Sequence, residues 1–237
     1  MSKNLIIGGG EIGKSLFDVI KDKHETYIRD KDELKLDGVE VLNICYPPIK
    51  DFIKVTKAYI KQYNPKVTII HSTVAPGTTE KCGEMVVHSP VHGKHPNLQG
   101  GIRTFVKYVG GNNAYAVNLA NKFLKQGGIK TKVVANSKTS EISKIMCTSY
   151  YGWNIIFMKE MVEICKKYGV PFNEVYSDWN FLYNAGYNEL GMSQFIRPIL
   201  EPMNGPIGGH CVVNNSYLLK SLITDLIIKK NDEYKKS

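Results

Sequence analysis

Asn4-Leu5-Ile6-Ile7-Gly8-Gly9-Gly10-Glu11-Ile12-Gly13-Lys14-Ser15 is the stretch that decides how this chain folds. A short apolar run opens straight into a glycine turn, and the turn satisfies two phosphate-binding patterns at once. Gly8, Gly10 and Gly13 spell G-x-G-x-x-G, a dinucleotide fingerprint, while Gly8, Gly13, Lys14 and Ser15 spell G-x-x-x-x-G-K-S, a P-loop. Both set an anion on a helix N-terminus, where unpaired N–H groups and the helix dipole favour negative charge. Residues further on separate the two. A dinucleotide site needs an acid at the end of the second strand, about 20 residues on, for the adenosine ribose. Asp30 closes the candidate strand Thr26-Tyr27-Ile28-Arg29, and the helix between them shows Leu16, Phe17 and Ile20 on one side. A P-loop enzyme needs a second apolar strand ending in an aspartate for magnesium, but Val39 to Tyr46 runs into Pro47-Pro48. The dinucleotide reading follows, with Lys14 and Ser15 as ordinary first-turn residues. A P-loop hydrolase stays open as the competing class.

At 237 residues, 43% hydrophobic and 22% charged, the composition is that of a soluble globular chain with a substantial core. No apolar run approaches the roughly 18 residues that span a bilayer, and the start lacks a basic stretch before a long apolar core. The expectation is a cytoplasmic protein without membrane contact. Cys45, Cys82, Cys147, Cys165 and Cys211 are odd in number and have no C-x-x-C spacing, against a disulfide framework or a zinc site. The net charge of +9 comes from dispersed lysines not interleaved with aromatics, so it reads as a solvated basic surface suited to phosphate-bearing ligands rather than as a nucleic-acid platform.

Short strands and amphipathic helices alternate along the first half. A helical pattern over Ile49 to Tyr63 is followed by strands at Val67 to His71, near Glu84 to His88 and at Thr104 to Val109. A helix over Asn113 to Lys125 and a strand at Thr131 to Val134 complete the series, which predicts a doubly wound parallel sheet with its ligand site at the carboxyl ends of the strands. From Ser137 to Tyr168 the periodicity predicts one long helix, stopped by Gly169 and Pro171, with more helices around a glycine-rich interruption at Gly205 to Gly209. The expected division is a nucleotide-binding domain over residues 1–135 and a smaller all-helical domain over 136–237.

Four strings occur in order: Gly8-Gly9-Gly10-Glu11-Ile12-Gly13, His71-Ser72-Thr73-Val74-Ala75-Pro76-Gly77-Thr78-Thr79, Glu141-Ile142-Ser143-Lys144 and Gly205-Pro206-Ile207-Gly208-Gly209-His210-Cys211. Together they resemble the UDP-glucose/GDP-mannose 6-dehydrogenase family, and the last string looks most like the branch acting on N-acetyl sugars. The resemblance implies a Rossmann-type α/β domain, NAD as cofactor and a nucleotide sugar or similar small molecule as substrate. Such enzymes oxidise the C6 alcohol to a carboxylate in two NAD-dependent steps through a cysteine thiohemiacetal and thioester. It implies Cys211 as nucleophile and Lys144 as the oxyanion-stabilising lysine. It also implies a cofactor set of Gly8, Gly10, Glu11, Ile12, Gly13, Asp30, Tyr46, Pro47, Ser72 and Thr73, and a homodimer made through the long helix near Trp153 and Phe157.

The chain departs from that pattern at five places, one being that much of the segment that normally separates the second strand from Val39-Glu40-Val41 is missing. Thr148 stands where the family has an asparagine one turn after the lysine, and Asn215 stands where it has an aspartate. Ser89-Pro90 is followed by Val91-His92 instead of the water-activating glutamate, and the sequence ends before the family's third, nucleotide-sugar-binding domain. Hydrolysis of a thioester then has no evident base, whereas a single oxidation needs only cofactor, an oriented hydroxyl and a proton acceptor. His92 is the residue we assign as that acceptor, beside Lys144 and Thr148, which share a helix face at i and i+4. His88, His92 and His95 are read as one loop cluster near His71, with no metal assigned because their spacing fits no metal-site rule. Asp30 favours NAD over NADP despite Arg29 and Lys31 beside it. Thr148 and Asn215 also suit a dinucleotide-binding sensor or structural subunit without turnover.

Overall fold

The computed structural model describes residues 2–236. β1 (Lys3–Ile7) leads through the glycine turn into α1 (Glu11–Ile20), followed by β2 (Glu25–Arg29), β3 (Val41–Ile44), α2 (Phe52–Tyr63), β4 (Val67–Ile70), α3 (Thr78–Cys82) and β5 (Val86–His88). Then come α4 (Leu98–Thr104), β6 (Lys107–Gly111), α5 (Ala114–Gln126) and β7 (Thr131–Val133). The strands form one sheet in the order β2-β1-β3-β4-β5-β6-β7.

The apolar runs are continuous because helices cover both faces of the sheet. Leu5 and Ile7 of β1 pack with Leu42, Ile44, Ile70 and Phe52, while Ile6 packs on the other face with Leu16, Ile20, Ile69 and Leu124. Leu5 and Ile6 are 0% exposed, and burial of each such side chain is worth about 1.5–3 kcal/mol. This is the doubly wound architecture expected, with one exception. β1 to β5 are parallel to their neighbours, but β6 pairs antiparallel with β5, Val87 opposite Gly111 and His88 opposite Gly110.

The reversal has a local cause. After β5 the chain doubles back on itself, so that a Cβ placed on Gly101 would lie 2.3 Å from the His92 carbonyl oxygen. The excursion is used up without crossing the sheet, and β6 re-enters from the carboxyl side. α4 lies where the sequence suggested no helix. Its two glycines depress helix propensity, but Asn97 caps it through Gly100 N, and Leu98 and Ile102 bury one face.

α6 (Ser137–Tyr168) has the bounds its periodicity suggests, and is followed by a π-helical turn over Asn173–Asp178, α7 (Trp179–Glu189), α8 (His210–Ser216) and α9 (Leu222–Tyr234). The chain forms two compact units that divide between Ile145 and Met146, inside α6, later than the boundary at 135. The first turns of α6 bond to the sheet unit: Ser140 Oγ to His88 Nδ1 at 2.8 Å, and the Glu141 carboxylate to the amides of Gly77 and Thr79 at 2.6 and 2.8 Å. The second unit is built around Ile155, Ile156, Ile207, Val212 and Ile227. In it, Lys159 Nζ donates to the carbonyls of Met203 and Gly205 at 2.7 and 2.8 Å, fixing the loop that leads into α8. No helix among the described residues is long and apolar enough to cross a membrane.

Candidate active site

The glycine turn is shaped by contacts that side chains would obstruct. Gly8 has φ +105° and hydrogen-bonds Arg29 O through its amide at 2.8 Å. A Cβ on Gly13 would lie 1.9 Å from Gly8 O, so only glycine lets α1 start this close to β1. A Cβ on Gly10 would meet nothing within 4 Å. Gly10 is the N-cap of α1 and no side chain caps the helix, which leaves first-turn N–H groups facing open space. That arrangement fits a pyrophosphate. Asp30, just past β2, accepts from Gly9 N at 2.9 Å and is exposed beside the turn. Lys14 is exposed but Ser15 is only 9% exposed, turned into the core, so the hydroxyl that a P-loop presents to magnesium is not presented here.

Next along the carboxyl edge, Tyr46 follows β3 and bonds Thr56 Oγ1 through its hydroxyl at 2.6 Å; burial pushes its phenol up to about 12. Pro47 is exposed, and Ser72 Oγ donates to Tyr46 O at 2.5 Å, with Thr73 half-buried beside it. The turn, Asp30, Tyr46-Pro47 and Ser72-Thr73 thus stand at the ends of four adjacent strands. Arg29 is already committed: Nη1 donates to Tyr63 Oη at 2.7 Å and Gln62 Oε1 at 3.0 Å, and the guanidinium lies 5.1 Å from the Tyr59 ring centroid. It is spent on α2. Glu11 pairs with His95, and Ile12, in the first turn of α1, packs against the core.

The histidines do not form the loop cluster the sequence suggested. His88 ends β5 as a buried side chain, bonded to Ser140 Oγ and, at 3.1 Å, Ser72 O; burial lowers it to about 3. His71 is buried against Asn43 Oδ1 at 2.9 Å, and burial lowers it well below the usual histidine range. His95 goes to Glu11. Among the described residues no three His, Cys, Asp or Glu side chains are arranged to hold a metal. His92 remains half-buried at the strand edge, 6.1 Å from the Phe105 ring, and burial, then Lys144 and Lys107, lowers it to about 4. It is therefore neutral at pH 7, with one ring nitrogen able to accept a hydrogen bond.

Lys144 and Thr148 lie one turn apart on α6, both half-buried. In the second unit Thr148 Oγ1 accepts from Asn215 Nδ2 at 3.2 Å, and Asn215 shares α8 with Cys211, which is half-buried in the helix's first turn. The hydrogen bond joins the two positions where the family's polar groups are changed. The side chain of His210 lies outside the described residues. Two residues carry more than the sequence showed: Glu141, whose carboxylate holds the amides at the start of α3, and Lys107, buried under the carboxyl edge. Lys107 leaves one signal in the sequence, a lysine opening an otherwise apolar strand.

A mostly parallel sheet with a glycine turn after the first strand and an acid on the turn after the second defines a Rossmann-type dinucleotide-binding fold. The chain resembles the nucleotide-sugar dehydrogenases. UDP-N-acetyl-D-mannosamine dehydrogenase of Pyrococcus horikoshii is 28% identical over 170 residues, covering 65% of this chain and 37% of its own length. The matched stretch thus covers well under half of that relative's length. The solved structure of UDP-D-ManNAc dehydrogenase from the same organism superposes with TM-score 0.76 at 20% identity, over 98% of this chain and 68% of that one. 3-Hydroxyisobutyrate dehydrogenase of Mycobacterium tuberculosis, solved with L-serine, superposes with TM-score 0.68 at 12% identity, over 100% and 95%. No family model matches the chain.

Proposed function

We propose that this protein is an NAD-dependent dehydrogenase that oxidises a primary alcohol of a sugar, or of a similar small molecule, to the aldehyde. The observation that carries the reading is the uncapped N-terminus of α1 behind Gly10, with Asp30 fixed on Gly9 beside it. When bound, NAD supplies the hydride acceptor. The residues of the chain orient the alcohol, neutralise charge and move the proton. His92 takes the hydroxyl proton, and the Lys144 ammonium stabilises the negative charge that develops on the oxygen as that proton leaves. Thr148 and Cys211 are the second unit's own candidates for contact with the substrate, joined through Asn215 on α8. Asp30, with Arg29 occupied elsewhere, supports NAD over NADP. A single oxidation is favoured because Val91-His92 stands in place of the carboxylate that would activate water for the second. The protein works in the cytoplasm as a homodimer, supported by the exposed Trp153 and Phe157 on α6, 43% and 52% exposed.

A small hydroxy acid is the second candidate substrate, favoured by the 95% coverage of the 3-hydroxyisobutyrate dehydrogenase chain and by the cationic Lys144 near His92. Calorimetry with NAD, NADP and ATP, followed by NADH formation with UDP-N-acetylmannosamine, UDP-glucose and short hydroxy acids, separates these readings. ATP binding without NAD binding overturns the dehydrogenase assignment, and NAD binding without turnover of any alcohol makes the protein a sensor. A monodisperse monomer by light scattering at micromolar concentration removes the dimer.

A further inference from the structure

Lys107 opens β6 at 3% exposure, and among the described residues it has no carboxylate partner. Its Nζ donates instead to the carbonyl of Ser89. Burying an amine without a counter-ion is costly, and a methionine would fill the same space without that cost. Nearby, Ser89 Oγ is buried without a partner among the described residues, so this part of the interior is not arranged for stability alone. The antiparallel entry of β6 sets its first residue at the edge where β4 and β5 end. Ser89 is the first residue beyond β5, and the chain passes from its carbonyl through Pro90 and Val91, both buried, to His92.

We propose that Lys107 is a positioning residue: by holding the Ser89 carbonyl it fixes the exit of the chain from β5 and with it the place of the His92 imidazole. The inference rests on the assignment of His92 as proton acceptor only for its catalytic meaning, not for its geometry. The charged groups acting on His92 are Lys144 from α6 and Lys107 from β6, and both oppose its protonation. Those acting on Lys107 are Lys144 and Cys45; burial is the largest influence and pushes the amine well below the usual lysine range.

The test uses the full chain without cofactor, with Lys107→Met and Lys107→Gln, the latter keeping an N–H donor. In Lys107→Met, amide hydrogen exchange over residues 91–95 is expected to quicken about tenfold, the worth of one such hydrogen bond. The His92 ring signal, assigned with His92→Asn, is expected to titrate upward from about 4. Lys107→Gln should recover part of the exchange protection. A folded Lys107→Met with unchanged exchange and an unchanged His92 midpoint overturns the proposal, as does failure of both variants to fold, which would make Lys107 a determinant of the sheet. Full NADH formation by His92→Asn would remove the catalytic assignment of His92 while leaving the result on Lys107 standing.

Discussion

The carboxylate of Asp30 and the amide of Gly9 are hydrogen-bonded at 2.9 Å across the gap between β2 and the turn after β1. This bond fixes the acid in the place where a ribose hydroxyl pair would be held. Asp30→Ala should weaken NAD binding by about tenfold or more, as expected for hydrogen bonds to a charged group, and narrow the preference over NADP. Calorimetric titration measures both, and an unchanged NAD affinity would remove the carboxylate from the site.

Gly10 and Gly13 should behave differently when each is replaced by alanine. At Gly13 the new methyl would lie 1.9 Å from Gly8 O, and forcing the backbone apart should cost about 1–3 kcal/mol and lower the melting temperature. At Gly10 the methyl meets no protein atom within 4 Å, so the melting temperature should hold while NAD binding falls because the methyl takes pyrophosphate space. Equal melting temperatures for the two variants would contradict the geometry of the turn.

Glu141 satisfies two buried amides at once, Gly77 and Thr79. Glu141→Ala strands both, at about 1–3 kcal/mol for each buried donor left unpaired. Urea denaturation should show the loss, with Glu141→Gln intermediate because its side chain keeps one acceptor. An unchanged urea midpoint for the alanine variant would show that water replaces the carboxylate.

Acid should destabilise the protein before its carboxylates titrate. His88 and His92 fall to about 3 and about 4 in the fold, and His24 and His71 are also lowered, chiefly by burial. Unfolded histidines titrate at about 6.5, so below that pH the unfolded chain binds more protons and is favoured. Stability is therefore full above about pH 6.5 and declines down to the folded values. Urea midpoints measured at pH 7.5, 6 and 4.5 should fall in that order. A flat profile would mean that these imidazoles are protonated in the folded state.

Local signals were readable and distant ones were not. The β1 run, the glycine spacing, Asp30 and the whole of α6 follow from periodicity within a few turns of chain. The direction of β6 has no such imprint, since a strand has the same alternation whichever way it runs. α4 was hidden because its two glycines speak against a helix and only packing with Asn97 capping overrides them. The roles of Glu141 and Lys107 depend on partners distant in sequence: Gly77 and Thr79 for one, Ser89 for the other. His88 closes a strand that the sequence does suggest, but its burial depends on Ser140 and Ser72, distant in sequence, so it was grouped with the loop histidines.

The direction of β6 also bears on how this molecule could acquire new preferences. The excursion between β5 and β6 begins and ends on the ligand side of the sheet, with its two feet tied by Lys107 and Ser89. A loop anchored in that way can be lengthened or recoded at its tip without shifting a strand. Residues 93–96, short of the Asn97 cap, are then the natural cartridge for a randomised library screened against a panel of alcohols.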